Sequence, residues 1–379
     1  MLPSNQRGDF MDHESCAESE TVKTRPTGSE RMDVNHRRNG ALLLVLLCAC
    51  LFWRFDGTLD FWRYAWAQGT MFPGREPRES LLQVAFQRPG QGFDLRKTTI
   101  PAKRIIGGGP PKDGIPALTD PKLMAAREAT YLQPDDRVVG VAIGDVTRAY
   151  PLRILDYHEV VNDRFGEAPI AVTYCPLCDS AVVFDRRTKL GESEFGVSGL
   201  LFNSNVLMYD RSGQPESLWS QLMAEGVSGP AARIPLKTLP VEVTSWQDWM
   251  SRHPQTTVLS ADTGHARDYG QRLYAAYFAS PELMFAVKPL DRRLPAKTPV
   301  LGVWTGDAAR AYPISQFSGR SRKLTERLHG KAFVMEFDAA ARNVRVVSAD
   351  EDVQWMYSFW FAWAAFRPKT ELHKPAEAR

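Results

Sequence analysis

One stretch of this chain occurs twice, and that repetition constrains the fold more than any other feature. Val139-Gly140-Val141-Ala142-Ile143-Gly144-Asp145-Val146-Thr147-Arg148-Ala149-Tyr150-Pro151-Leu152 recurs as Leu301-Gly302-Val303-Trp304-Thr305-Gly306-Asp307-Ala308-Ala309-Arg310-Ala311-Tyr312-Pro313-Ile314. Each copy reads as a strand, a Gly-Asp turn and a second strand ending at Tyr-Pro, which is a β-hairpin. A weaker match follows. Asn162-Asp163-Arg164-Phe165-Gly166 parallels Thr325-Glu326-Arg327-Leu328-His329-Gly330, and Ile170-Ala171-Val172-Thr173-Tyr174 parallels Phe333-Val334-Met335-Glu336-Phe337. The copies then diverge, the first into Cys175-Pro176-Leu177-Cys178 and the second into Asp338-Ala339-Ala340-Ala341. Two copies are too few for a solenoid or propeller. The expected architecture is an α+β, β-rich fold: one large domain of two related halves, about 135–210 and 297–366, around a shared core.

The 379 residues, 44% of them hydrophobic, supply the apolar material for such a core. A balance of 47 basic against 44 acidic residues excludes the concentrated positive charge of a nucleic-acid binder. Residues 1–39 are polar and lack apolar periodicity, the composition of a disordered tail. The uncharged run Ala41–Trp53 follows Arg37 and Arg38, the layout of an export signal or signal anchor. It is short for a membrane span, which takes about 20 residues, and so also fits a signal core. The sole A-x-A-like site, Ala65-Trp66-Ala67, lies well beyond the run, and Trp53, Phe55, Phe61, Trp62, Tyr64 and Trp66 match the aromatic belt of a membrane interface. Retention is therefore expected: residues 40–55 as a single-pass anchor in the inner (cytoplasmic) membrane, 56–94 as linker, an extracytoplasmic domain over 95–372, and a tail at 373–379. The expected partners are that membrane and a protein or small molecule that the sequence leaves unspecified.

Compartment then sorts the cysteines. Cys16 falls in the tail, Cys48 and Cys50 in the anchor, and only Cys175 and Cys178 in the domain. Elsewhere the Gly- and Pro-rich segment 107–116 reads as a rigid loop, because it lacks the Gly-Lys-Ser/Thr of a phosphate loop and its prolines remove amides. Residues 195–211 read as a turn and then a strand. A helix is expected over Ser245–Arg252, capped by Thr244 or Ser245 and stopped by Pro254. Another is expected over Trp355–Phe366, with Trp355, Phe359, Trp363 and Phe366 as a core stripe.

The chemistry concentrates in Cys175-Pro176-Leu177-Cys178. A thioredoxin-type pair opens a long helix, whereas here Asp179-Ser180-Ala181-Val182-Val183-Phe184-Asp185 continues as a β-like run. Strand, Cys-Pro-x-Cys, strand is the shape of a metal-binding knuckle. The chain has no second C-x-x-C, so any metal must recruit another ligand type. His158 is the leading candidate, since Tyr157–Asp163 precedes the cysteine strand and can return beside it. Met208 is a weaker candidate for an open or thioether position, and such a set suits Cu(I) or Zn²⁺. Glu159, Asn162, Asp163, Tyr174 and Asp179 stand beside these residues, while Asn203, Asn205 and Asp210 are further candidates to line a pocket; Asn, Asp and Ser equally often satisfy turns. The same sulfurs serve two other readings: a reversible thiol–disulfide couple, or a structural disulfide in a non-enzymatic binding or scaffold protein. No Gly-x-Ser-x-Gly elbow or His-Glu-x-x-His pair occurs.

Several of these segments together resemble the prokaryotic family catalogued as domain of unknown function 3179. They are Gly109–Pro116, Ala149–Leu152, His158–Asp163, Thr173–Cys178, Val197–Leu200, Asn203–Asn205, Met208–Arg211, Ser217–Trp219 and Phe359–Trp363. The resemblance covers roughly residues 95–372 and implies an exported bacterial or archaeal protein, without implying an activity. Asp179 departs from the pattern, which usually has Gly there, and so sets a carboxylate beside the thiols.

Overall fold

Both copies of the repeat form the expected hairpin. The computed structural model describes residues 93–211 and 215–374, so the tail, the anchor and nearly all of the linker lie outside the described residues. Among the described residues no helix is long and apolar enough to cross a membrane. The chain begins with three short strands, β1 (Ile105–Gly107), β2 (Leu118–Thr119) and β3 (Leu123–Ala125). The first hairpin is β4 (Arg137–Ile143) and β5 (Val146–Pro151), followed by helix α1 (Leu152–His158), β6 (Val160–Phe165), β7 (Ala168–Cys175) and β8 (Ser180–Asp185). An inserted segment adds β9 (Arg187–Thr188), β10 (Gly191–Glu192), β11 (Phe195–Phe202), β12 (Asn205–Asp210), β13 (Leu218–Ser220), β14 (Glu225–Gly226) and β15 (Thr238–Leu239). Strand β16 (Glu242–Ser245), helix α2 (Trp246–Arg252) and β17 (Thr257–Leu259) close this half. After the short helix α3 (Ala275–Ala279) come β18 (Pro299–Thr305), β19 (Ala308–Pro313), β20 (Arg322–Leu328), β21 (Lys331–Asp338), β22 (Asn343–Ala349), β23 (Gln354–Phe359), helix α4 (Trp360–Phe366) and β24 (Glu371–Leu372). The fold is β-rich with few helices.

Register shows how far the duplication runs. Val139 pairs with Tyr150 in β4–β5 as Leu301 pairs with Tyr312 in β18–β19. Strand β16 lies antiparallel to β4, and β23 lies antiparallel to β18. Strand β17 runs parallel to β5 and sets Val258 opposite Ala149; β24 runs parallel to β19 and sets Leu372 opposite Ala311. The equivalence thus reaches beyond the expected limit at residue 210, to 242–259 in the first half. The insertion between β8 and β16 separates the matching parts in sequence while the shared packing keeps them together.

That packing has a clear cause. A Cβ on Gly140 would stand 2.3 Å from the ring of Trp249, and one on Gly302 would stand 2.3 Å from the ring of Trp363. Each glycine lets an indole from α2 or α4 lie directly on the strand. Each indole N–H then finds a threonine: Trp249 donates to Thr256 at 3.0 Å and Trp363 to Thr370 at 2.9 Å. Helix α2 is capped as expected, with the Ser245 side chain accepting from the Asp248 amide. The second helix is shorter than expected. Residues 354–359 pair antiparallel with β18 as β23, and Trp355 belongs to that strand, its indole donating to the Val241 carbonyl at 2.9 Å. Paired backbone from β18 claims these residues before helix propensity does. Residues 195–211 likewise form two strands rather than a turn and one strand.

A second pair of contacts repeats at the outer face. Arg148 and the Tyr150 hydroxyl converge on Asp163, and Arg310 and the Tyr312 hydroxyl converge on Glu326. The halves also exchange edges. Ala181 of β8 pairs with Tyr357 of β23, and the Asn343 side chain at the start of β22 donates to Glu242 of β16 at 2.7 Å. The largest sheet therefore holds strands of both halves, in the order β2-β6-β7-β8-β23-β18-β19-β24 with β15 also on β8.

Candidate functional site

The cysteines occupy the tight turn between β7 and β8, where Cys175 pairs with Ser180 across the ladder. Strand, turn and strand follow as expected from the apolar runs on either side. The turn is closed by Cys178 N–H to Cys175 C=O at 3.1 Å, and Asp179 takes the left-handed region at φ 45°. Both thiols are free and buried, with 1% exposure for Cys175 and none for Cys178. A second tight turn faces them. Asn203 and Ser204 both have positive φ, as a two-residue hairpin loop between β11 and β12 requires. The Ser204 carbonyl oxygen lies 3.8 Å from Cys175 Sγ and 3.2 Å from Cys178 Sγ.

A buried polar network supports the turn from one side. Asn205 donates to Gln221 Oε1 at 2.8 Å, Ser180 donates to the same oxygen at 2.7 Å, and Gln221 donates to Thr173 at 3.0 Å. On the other side Asp179 accepts both guanidinium nitrogens of Arg137, at 2.9 and 3.0 Å, and the Tyr174 hydroxyl at 2.8 Å. This carboxylate fills its own ion pair and holds the turn. Met208, on β12, is buried in the same apolar cluster as both cysteines.

The surroundings set the two sulfurs apart. Burial opposes ionisation of Cys175, but hydrogen bonds from the Cys178 thiol and from the Cys178, Val206 and Leu177 amides outweigh it, and its pKa is lowered. Burial raises the Cys178 pKa, and the neighbouring Cys175 raises it further. Of the two, Cys175 is the more acidic thiol. Glu159, just past α1, is 8% exposed and sits at φ 55°, an uncommon conformation for a side chain of this size. Among the described residues no hydrogen bond or ion pair reaches its carboxyl. Burial and then Cys175 raise its pKa well above the usual range. Asp156, one helical turn back, has a buried oxygen without a partner, and burial followed by Asp179 pushes its pKa up to about 7.

His158 does not join the sulfurs. Its Nδ1 is 2.7 Å from the Pro116 carbonyl oxygen and its Nε2 is 2.6 Å from the Tyr269 hydroxyl. A carbonyl only accepts, so Nδ1 carries the proton and Nε2 accepts from Tyr269. Burial lowers its pKa to about 4 and keeps it neutral. Both ring nitrogens are thereby occupied, and among the described residues no group of three or more His, Cys, Asp or Glu side chains converges to hold a metal ion. The segment Tyr157–Asp163 does return beside the cysteine strand, but only from Val160 onward, and His158 closes the helix before it.

The remaining candidates have structural partners. Asn162 bridges β6 to β11 through both the amide and the carbonyl of Phe195. Asp163 holds Arg148 and Tyr150. Asn203 accepts from Arg104 and from the Lys288 amide, and Asp210 accepts from the Trp219 indole and the Ser217 amide. Residues that sequence reasoning did not single out complete the site: Arg137, Asp156, Gln221, Tyr269 and Tyr277. Tyr277 donates to the Leu177 carbonyl inside the cysteine turn at 2.9 Å. None of them lies in a pattern that distinguishes it from an ordinary polar residue.

The family described as protein of unknown function, DUF3179, matches residues 112–356, more than half of the chain. The chain belongs to this family. The DUF3179 match encloses the first hairpin, the cysteine turn, the inserted sheet and the second hairpin, and stops before α4. No curated protein and no solved structure matches the chain.

Proposed function

We propose that Cys175 and Cys178 form a reversible dithiol–disulfide couple, in an extracytoplasmic domain held at the membrane by residues 40–55. The observation that carries this reading is a pair of free, buried thiols at the two ends of one tight turn, both facing the Ser204 carbonyl oxygen. Cys175, as thiolate, attacks one sulfur of a partner disulfide and expels the other sulfur as a thiolate. With charge gone from Cys175, Glu159 becomes a stronger acid and gives its proton to that leaving group. The resulting Glu159 carboxylate takes the proton of Cys178, whose thiolate attacks the mixed disulfide at Cys175 and releases the second thiolate. Two electrons pass to the partner, and Glu159 ends protonated as it began.

The test is equilibration of the full chain in glutathione buffers, with alkylation and mass spectrometry of the two cysteines. The expected midpoint lies above about −300 mV, the level below which structural disulfides fall. Cys178→Ser should trap a mixed disulfide on Cys175. A pair that stays reduced at every poise, or a bond that resists reduction, would overturn the reading. A second reading rests on both sulfurs facing one point: two thiolates alone hold a soft monovalent ion such as Cu(I). One equivalent of copper retained after anaerobic reconstitution, and lost in Cys175→Ser, would favour it over the couple.

A further inference from the structure

The strand that borders the first half has a copy in the second, and the copy lies elsewhere. Asp120-Pro121-Lys122-Leu123-Met124-Ala125 is echoed by Ser280-Pro281-Glu282-Leu283-Met284-Phe285. The connectors to the following hairpins, 126–136 and 286–298, differ by two residues. Their ends are held alike: Trp246 N–H donates to Asp136 C=O and Trp360 N–H donates to Thr298 C=O. In the first half this segment is β3, antiparallel to β17, with Met124 opposite Val258. Ser260 N–H to Lys122 C=O at 2.9 Å extends the pairing. The edge of β17 is covered.

The equivalent edge in the second half is open. Strand β24 ends the largest sheet, and Leu372, the counterpart of Val258, has no strand on its outer side among the described residues. His373 N–H donates inward to Ala311, so alternation turns the Leu372 backbone groups and the Lys374 amide outward. A cavity of about 680 Å³ lies beside Leu372, bordered by Phe317 and Leu324 and by charged side chains that include Arg310, Arg322 and Glu371.

The copy of β3, with the residues flanking it, instead packs into the cluster that holds the cysteines. Tyr277 grips the turn through the Leu177 carbonyl, and Phe285 and Val287 are buried in the cluster that holds Cys175 and Cys178. Apart from α3, residues 260–298 contain no helix or strand. Lys297 fastens the segment: its ammonium donates to the carbonyls of Tyr277 and Ser280 and sits 3.3 Å from the Tyr277 ring centre. With exposures of 1% and zero, neither sulfur meets a partner in this arrangement, to which the inserted strands and this segment both contribute.

We propose that residues 274–287 are a movable strap over the dithiol, and that its second seat is the outer edge of β24. The use of the strap rests on the proposed couple; its motion does not. Strap closed, the thiols are shielded; strap on the edge, it takes the place that β3 takes in the first half and Cys175 meets solvent.

Two measurements on the full chain test this. In a chain with Cys16, Cys48, Cys50, Cys175 and Cys178 all changed to Ser, Met284→Cys with Leu372→Cys should form a disulfide in a glutathione buffer. Met124→Cys with Val258→Cys, directly opposed in the first half, is the control. A control that closes while the test pair stays open overturns the second seat, whatever the fate of the redox reading. In the otherwise native chain, Lys297→Met should speed alkylation of Cys175 about tenfold, the worth of one charge-assisted hydrogen bond, with the thermal midpoint retained. An unchanged rate overturns the strap as a gate. Alkylation needs only a thiol, so this result also stands apart from whether a disulfide forms.

Discussion

In the first half β7 and β8 are buried almost throughout, whereas their counterparts β21 and β22 alternate or open to solvent. The topology is the same; the covering differs. The inserted strands β11–β14 lie against one face of β7–β8 and exclude water from the turn between them. At the other turn, Asp338 serves its own neighbours, accepting from the amides of Ala340 and Ala341, and no ionisable pair is enclosed. A duplicated unit thus encloses its turn where a second layer is added. Removing water raises both thiols and Glu159, and the hydrogen bonds that reach Cys175 separate it from Cys178.

This contrast can be broken most sharply at the outer Arg–Tyr–carboxylate clusters. The side chains of Arg148 and Asp163 are 10% and 7% exposed, so Asp163→Ala leaves a buried charge unpaired and should cost about 3–5 kcal/mol. Glu326→Ala removes a pair at 21% and 20% exposure and leaves Arg310 with Glu371, so it should cost at most about 1 kcal/mol. Urea unfolding of both variants checks this, and equal losses would dissolve the distinction between the halves.

Where the halves are alike, the losses should be alike. Gly140→Ala and Gly302→Ala each drive a methyl into an indole and should cost about 1–3 kcal/mol apiece from overpacking. Thermal denaturation of the pair measures it. A loss confined to one of them would mean that the glycine–indole contact is not a shared device.

The smallest expected effect is on pH dependence, and it belongs to the first half. Asp156 is raised from 3.8 to about 7, so the stability it contributes is full below 3.8 and is lost as pH rises through 7. His158 is lowered from 6.5 to about 4, so its contribution is full above 6.5 and is lost as pH falls through 4. The two slopes oppose one another across the same window. Asp156→Asn should therefore unmask a rise in stability from pH 4 to 6.5, and His158→Gln a fall. Denaturant titrations at pH 4.5 and 7 that leave the wild-type slope intact in both variants would contradict these environments.

The hairpins, the α2 cap and the strand–turn–strand around the cysteines were legible because each depends on neighbours within a few residues. Gly144-Asp145 and Gly306-Asp307 mark turns, and Thr244-Ser245 ahead of Trp246 marks a cap. The partners of His158 were not legible: Pro116 and Tyr269 come from loops 42 and 111 residues away. Nor was Ser204, which meets the sulfurs with a main-chain carbonyl that any residue carries. The equivalence of Trp249 and Trp363 was hidden because the insertion shifts one copy relative to the other.

What the sequence by itself determined is therefore local and periodic: a doubled β unit, two cysteines alone in its first copy, and membership of a family those segments define. The tertiary structure decided which of the repeated parts became enclosed. It buried Glu159 just past α1, turned His158 to Pro116 and Tyr269, and laid the copy of β3 into the cluster around the thiols instead of on an edge. The reason is physical. Backbone pairing and turn geometry are set by short-range sterics and hydrogen bonds, whereas acidity and access depend on how completely water is removed, which only distant segments packing together can settle.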